Sequence, residues 1–302
     1  MKPEIIIICG PTASGKSALA IKLAKMLDTE IISADSLAIY KRLDIGTAKP
    51  TKEELSMVKH HLVDVCEPTD NFSVSEYEAL ALPIVNDLIS RGKIPIICGG
   101  TGFYINSILY KLGYGGSEGN LEIREKYLEI AKTQGVHVVY EELRKIDPKS
   151  CETIHENDVV RVVRALEIYY STGKKKSEQN DLLEPRFSYI ALTPDVDRET
   201  LYNRINLRVD KMLELGLIDE VKGLIDSGID KNCQCMQGIG YKETYDAIVN
   251  NDYSGLADFI KINSRHYAKR QVTFFKKLPN VVKVDVNDEK IVDNLVKQIV
   301  GD

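Results

Sequence analysis

The sequence predicts an α/β protein in which a parallel sheet is flanked by helices and interrupted by an inserted helical subdomain. Three observations carry that expectation. Residues 5–9, Ile-Ile-Ile-Ile-Cys, form an unbroken apolar run that leads into a glycine-rich turn and then an Ala-, Leu- and Lys-rich stretch. Strand-length apolar runs and helical patterns then alternate, as they do when strands are joined by helical crossovers. From about Gly113 to Arg186 the alternation stops, and helical patterns follow one another with no strand between them.

Each element has a local cause. The run at 5–9 is bounded by Pro3 and Gly10 and lacks polar alternation, so burial of both faces is expected. A helix over 14–27 follows it. Further strands are read at 30–33, 61–65, 94–98, 189–192 and 281–286. A helix over 75–90 opens on Ser73-Val74-Ser75-Glu76, a capping box in which the serine and glutamate satisfy each other's backbone N–H. Helices at 121–134, 137–147 and 156–172, the last stopped by Gly173, fill the interruption, and Lys174 to Asp181 reads as an exposed loop. After 186 one strand, several helices, a short strand and a closing helix complete the chain. The expected organisation is a core over 1–113, an inserted subdomain over 114–185, and the rest of the core over 186–302.

Composition narrows the function classes. With 43% hydrophobic residues, 28% charged residues and a mean hydropathy of −0.19, the 302 residues can bury a sizeable core. No apolar run approaches the roughly 20 residues that span a bilayer, and the segment through Cys9 is too short for a secretory signal. Cysteines 9, 66, 98, 151, 233 and 235 lack paired spacing, which suits free thiols in a reducing compartment. Cys233-Gln-Cys235 has no second Cys or His pair nearby to complete a zinc site. A cytoplasmic protein without membrane attachment is expected. The net charge of −5 gives no global attraction to nucleic acid. Yet Phe259–Lys277 carries Lys261, Arg265, Lys269, Arg270, Lys276 and Lys277 and no acid, a local candidate for phosphate contacts.

Gly10-Pro11-Thr12-Ala13-Ser14-Gly15-Lys16-Ser17 fits G-x-x-x-x-G-K-[ST], with an apolar strand before it and a helix after it. Glycines let the backbone amides turn inward on phosphate oxygens, Lys16 adds a point charge, and Ser17 offers a hydroxyl to Mg²⁺. The loop identifies a phosphate but not its owner. Asp64, in His-His-Leu-Val-Asp, and Asp35 are the two acids placed to support a metal.

Several further blocks, in order along nearly the whole chain, carry a resemblance. They are Asp35-Ser-Leu-Ala-Ile-Tyr40, Asp44-Ile-Gly-Thr-Ala-Lys-Pro50, Gly99-Gly-Thr-Gly-Phe-Tyr104, Arg161-Val-Val-Arg-Ala165, Gln237-Gly-Ile-Gly-Tyr-Lys-Glu243 and Lys269-Arg-Gln-Val-Thr273. Together with the phosphate loop, the chain resembles the tRNA dimethylallyltransferase (isopentenyltransferase) family, of bacterial type. That resemblance implies a P-loop NTPase-like core with an inserted helical domain. It implies transfer of a dimethylallyl group from dimethylallyl diphosphate, with Mg²⁺, to N6 of the adenine 3′ of the anticodon in tRNAs reading U-starting codons. The loop would then hold the donor's diphosphate, and the expected form is a monomer that grips the anticodon stem-loop.

The residues fit that chemistry. Breaking the allylic C–O bond develops charge on the diphosphate, which Lys16 and the loop amides can stabilise. Arg204 and Arg208 stand at i,i+4 on one helix face, and the resemblance points to Arg208 as the cation nearer the diphosphate. Asp35 follows a strand end, where open α/β sheets bind ligands, and the resemblance assigns it to the amine. Thr101, in the Gly-Gly-Thr-Gly turn after the strand at 94–98, can donate or accept at the same end of the sheet, and equally suits a plain turn. Ser36, Leu37 and Ala38 continue that segment towards the RNA. Arg124, Arg161, Arg164, Lys242, Lys269 and Arg270 are the basic candidates for tRNA, although Arg161 and Arg164 equally suit a helix that covers a core. The chain departs from the family pattern at Ala38, where Gln is frequent, at Val159-Val160, where Pro-Gln is frequent, and at Phe274, where Trp is common. A phosphate loop alone also fits a small-molecule kinase, prenylation of free adenine nucleotides, or a non-catalytic nucleotide switch. The insertion and the basic stretch weigh against the first two, and a switch gives no reason for Asp35 with paired arginines.

Overall fold

In the computed structural model, residues 2–114, 120–178 and 182–300 are described. The chain runs β1 (Ile5–Cys9), α1 (Lys16–Met26), β2 (Ile31–Ser33), α2 (Lys52–Met57), β3 (His60–His61), α3 (Val74–Ser90), β4 (Ile96–Gly99) and α4 (Gly102–Leu109). There follow β5 (Tyr110–Lys111), α5 (Leu121–Thr133), α6 (Val136–Ile146), α7 (Val159–Thr172) and β6 (Leu182–Pro185). The remainder is β7 (Tyr189–Pro194), α8 (Arg198–Glu214), α9 (Leu217–Asp226), α10 (Tyr241–Asn250), α11 (Leu256–Phe275), β8 (Val281–Val284) and α12 (Glu289–Val300).

Six strands join in the order β3-β2-β4-β1-β7-β8, with parallel pairing throughout. The central strand β1 is fully buried along its length, which is why its sequence shows no polar alternation. Ile6 and Ile8 pack with Leu19, Leu23 and Ala24 of α1 and with Val292, Leu295 and Ile299 of α12. Ile5 and Ile7 point to the opposite face of the pleat. Tyr77 of α3 stacks on Tyr104 of α4 at 3.9 Å and donates to the Ser33 carbonyl at the end of β2, 3.0 Å away. The loops that follow β1, β2, β4 and β7 therefore emerge together at the carboxyl edge of the sheet.

The chain divides into two compact units, Met1–Leu109 with Pro185–Asp302, and Tyr110–Glu184. The second is a three-helix assembly in which Tyr127, Val139, Tyr140, Leu143, Val162, Val163 and Leu166 form one core. Asp147, nearly fully buried, ties it off by accepting from the Ser150 amide and hydroxyl and from the Ser177 amide. A two-stranded sheet pairs β5 with β6.

Differences from the sequence reading have local causes. The strand read at 61–65 stops at His61. Leu62 and Asp64 take φ of 60° and 56°, which no strand accommodates, and the next amides turn to the Ala38 and Ile39 carbonyls. Helix α2 was missed, although Thr51 and Glu54 form a full capping box. The capping box at Ser73 and Glu76 is present as read. α1 begins at Lys16 rather than 14, because the preceding residues belong to the phosphate loop. The stretches read as loops over 113–119 and 174–181 fall at 115–119 and 179–181 outside the described residues.

Candidate active site

The phosphate loop joins the end of β1 to the start of α1. Gly15 has φ 99°, a left-handed conformation that side chains rarely adopt, and it turns the chain so that α1 begins at the next residue. The Lys16 ammonium donates to the Pro11 carbonyl at 2.6 Å. Burial pushes its pKa below the ordinary lysine range, with Cys98 and Asp35 acting against that shift and Arg208 with it. Ser14 is buried, and its hydroxyl has no partner. An orphaned donor in a desolvated glycine-rich loop at a helix start is a fitted seat for an anion.

Thr12, Lys16 and Ser17 line a cavity of about 420 Å³ that also takes in Asp35, Ser36, Leu37, Ala38, Arg208 and Arg270. At the end of β2, Asp35 Oδ1 accepts from the amides of Leu37 at 2.9 Å and Ala38 at 3.3 Å. That is an Asx-type turn, which fixes the carboxylate's rotamer while the group still faces the cavity. Thr101 braces Asp35's loop: its hydroxyl accepts from the Ser36 amide at 3.0 Å and donates to Ser36 Oγ at 3.3 Å, and its side chain also meets that of Tyr267, which lines the cavity. It holds the loop from the β4 side and is not among the lining residues. Cys98 of β4 does line the cavity, and burial pushes its thiol up to about 11.

Of the i,i+4 pair of arginines on α8, Arg208 lines the cavity and Arg204 does not. Arg208 donates to the Thr47 carbonyl at 3.0 Å, and burial lowers its pKa against the pull of Asp35. Lys16, Asp35 and Arg208 therefore feel one another's charge. Asp64, one of two candidates to support a metal, is instead paired with Lys49 at 2.6 Å, so Asp35 is the acid that faces the cavity.

Helix α11, expected to offer a surface for RNA phosphates, also turns one face to the cavity. Gln271 accepts from the Thr12 amide at 2.8 Å and donates to the Gly100 carbonyl at 3.0 Å, which ties the phosphate loop to the β4 turn. Arg270 stacks 5.6 Å from the Tyr267 ring centroid, and both line the cavity. Burial, then the charge of Asp35, pushes the Tyr267 phenol up to about 12. Lys269 is exposed on the helix, as is Lys242 on α10. Sequence reasoning missed Tyr267 and Gln271 as site residues, although the Lys269–Thr273 block contains Gln271; only the charges of that block were carried forward to a role.

In the helical unit, Arg124 and Arg164, expected as tRNA contacts, share one acid. Both bind Glu167, whose side chain is fully buried, with Arg124 at 3.1 Å and Arg164 at 3.0 Å, and the Asn120 amide adds a third donor. These contacts hold the Glu167 carboxyl below its usual range despite burial. Arg161 differs: it is exposed, and among the described residues its guanidinium makes only an i,i+3 pair with Asp158.

No group of three or more His, Cys, Asp or Glu is arranged for a metal among the described residues. The residues fit Mg²⁺ in its usual phosphate-borne form, in which one or two protein oxygens supplement water and substrate phosphates. Ser17, next to Lys16 in the phosphate loop and lining the cavity, supplies such an oxygen.

A model of the IPP transferase family matches residues 38–278. The chain belongs to the IPP transferase family. It is 45% identical over 300 residues to a tRNA dimethylallyltransferase of Acetivibrio thermocellus, covering 97% of this chain and 96% of that protein. A Bacillus cereus protein of the same name is 45% identical over 307 residues, covering 99% and 95%. Among solved structures, the tRNA isopentenylpyrophosphate transferase of Bacillus halodurans superposes with a TM-score of 0.73 at 40% identity, covering 98% of this chain and 95% of that one. A eukaryotic dimethylallyltransferase acting on tRNA superposes with a TM-score of 0.82 at 30% identity, covering 99% and 78%. As an IPP transferase the chain is a transferase enzyme, and its parallel core is of the P-loop NTPase-like type.

Proposed function

We propose that this IPP transferase moves a dimethylallyl group from dimethylallyl diphosphate to N6 of the adenine 3′ of the anticodon, in tRNAs that read U-starting codons. One observation carries the reading: two desolvated cations, Lys16 and Arg208, and the carboxylate of Asp35 face one cavity. The cations suit a diphosphate and the carboxylate suits an amine.

The allylic C–O bond breaks with its electron pair leaving on the diphosphate, and a C–N bond forms from the N6 lone pair. Lys16 and the loop amides stabilise the leaving charge, as does Arg208, held by the Thr47 carbonyl. Bound Mg²⁺ would neutralise further diphosphate charge, with Ser17 the residue to hold it. Attack makes N6 cationic and acidic, and Asp35 then takes the proton. Its rotamer is already set by the Leu37 and Ala38 amides. The adenine must leave its stack, which costs a few kcal/mol and less in a single-stranded loop. Six unpaired cysteines favour a reducing compartment such as the cytoplasm, and Lys16, Asp35 and Arg208 of a single chain line one cavity, which suits a monomer. Among the described residues no helix is long and apolar enough to cross a membrane.

Incubation with radiolabelled dimethylallyl diphosphate and either unmodified tRNA or free AMP, ADP and ATP tests the proposal. Label is expected on tRNA alone. Label on free nucleotides instead would transfer the reading to a nucleotide prenyltransferase.

A further inference from the structure

Glu220 lies outside the cavity and in no ion pair among the described residues. It is the fourth residue of α9, and its carboxylate collects four donors. Oε2 accepts from the amides of Asp44 at 2.9 Å and Ile45 at 2.8 Å. Oε1 accepts from the Gly46 amide at 3.3 Å and from the Tyr241 hydroxyl at 2.5 Å. Three consecutive amides converging on one anion form a nest, the arrangement by which backbone binds phosphate, here turned upon the protein's own side chain.

The contact reaches the cavity through the chain it holds. Loop residues 46–50 all line the cavity. Its Thr47 carbonyl holds Arg208 at 3.0 Å, and its Lys49 ammonium is anchored by the Tyr40 carbonyl, Asp44 and Asp64. The Tyr241 ring seals the outer side: a Cβ on Gly46 would stand 2.5 Å from it. Burial, followed by the Glu220 charge, pushes the Tyr241 phenol upwards, so the hydroxyl stays protonated and keeps donating.

We propose that Glu220 is a positioning residue for the transfer reaction, fixing the 44–50 loop through its nested amides so that the Thr47 carbonyl aims Arg208 at the donor's diphosphate. This rests on the proposed function, and it adds a residue on a different helix from any group that touches the substrates. A guanidinium displaced by an ångström from a developing charge loses much of its effect, at roughly 10²-fold in rate.

The test uses the full chain with inorganic pyrophosphate as probe, alongside transfer to tRNA. Glu220→Gln keeps the side chain's size but replaces one acceptor oxygen with a donor, and Tyr241→Phe removes a single donor. Expected for Glu220→Gln are about a tenfold weaker pyrophosphate affinity and a kcat about 10²-fold lower, with tRNA affinity unchanged. Tyr241→Phe should move the same quantities less. In an Arg208→Ala background either substitution should change pyrophosphate affinity less than about twofold, because the residue they act through is gone. Full-size effects in that background would overturn the proposal, as would a lowered Tm with pyrophosphate affinity and kcat per folded molecule intact. Should Glu220→Gln not fold, the Tyr241→Phe and Arg208→Ala cycle decides. If the wild-type chain binds pyrophosphate but leaves tRNA unlabelled, the proposed function fails while the pyrophosphate cycle still decides the role of Glu220.

Discussion

At Lys16 two facts work in opposite directions: burial disfavours the ammonium, and the loop around it is shaped for an anion. The folded, ligand-free pKa is lowered, and a diphosphate beside it favours the charged form and raises it again. Diphosphate binding should therefore take up a proton at pH above the ligand-free pKa, with affinity declining as pH rises further. Calorimetry of pyrophosphate binding in buffers of different ionisation enthalpy measures that uptake, which should vanish in Lys16→Met. Lys16→Ala should lower the transfer rate about 10²–10³-fold while tRNA affinity holds, since the ammonium lies in the phosphate loop; lost tRNA binding would show that the two substrates share this residue. Asp35→Asn is a finer probe. The asparagine carbonyl can still accept from the Leu37 and Ala38 amides, so the turn survives, but an amide cannot take a proton from N6. Both substrates should bind, and single-turnover transfer should fail; a near wild-type rate would remove Asp35 from the proton step.

Elements are pinned by carboxylates that burial alone would penalise. Glu30 at the start of β2 binds His61 of β3 at 2.6 Å, Arg91 beyond α3 at 2.9 Å and Lys59 at 3.3 Å, and these partners outweigh burial to hold its carboxyl at about 2. Its folded pKa is depressed, so the stabilisation is full above the ordinary value of 4.5 and is lost as pH falls towards 2. Glu30→Gln should remove on the order of 2–3 kcal/mol at pH 7 and much less near pH 2, read as urea midpoints at the two pH values. In the helical unit, Arg164→Ala leaves Glu167 buried beside one cation fewer. Because Arg124 and the Asn120 amide still hold Glu167, it should cost about 1.5–3 kcal/mol, seen as a lower Tm, whereas Arg161→Ala on the exposed side of α7 should leave Tm unchanged. The alternation of α7, Val162-Val163 in the core and arginines between, was legible in the sequence; which arginine meets a buried acid was not, because Glu167 looks like any polar helix residue until its neighbours on α5 are in place. Strand β1 and the helix caps were legible for the opposite reason, being decided within a few residues. β3 was misjudged because His60 to Val65 has strand composition, while backbone bonds to Ala38 and Ile39, far away in sequence, decide the turn. The same holds for the cavity: the phosphate loop is local and readable, but Gln271 reaches it from 259 residues away.

Over the whole molecule, a net charge of −5 repels a polyanion, so RNA affinity must come from where the positive charge is concentrated. Helix α11 divides that task between its faces. Tyr267, Arg270 and Gln271 face the cavity, and Lys269, Lys276 and Lys277 at its C-terminal end are exposed at i, i+7 and i+8, close to one line along the helix and its cap. Exposed lysines that meet phosphates release counterions and contribute to the slope of log K against log[salt], at about 0.7–0.9 per phosphate neutralised. Replacing all three with Ala should flatten that slope for tRNA by about two, with the donor's KM unchanged, in anisotropy titrations from about 50 to 200 mM KCl. Arg270→Ala should behave oppositely, raising the donor's KM or lowering kcat with little change in slope, because its guanidinium, though on an exposed residue, lies over the Tyr267 ring and lines the cavity. An unchanged slope in the triple variant would move the RNA surface off α11. Arg161 and Lys242, exposed cations on α7 and α10, would then be the next positions to replace.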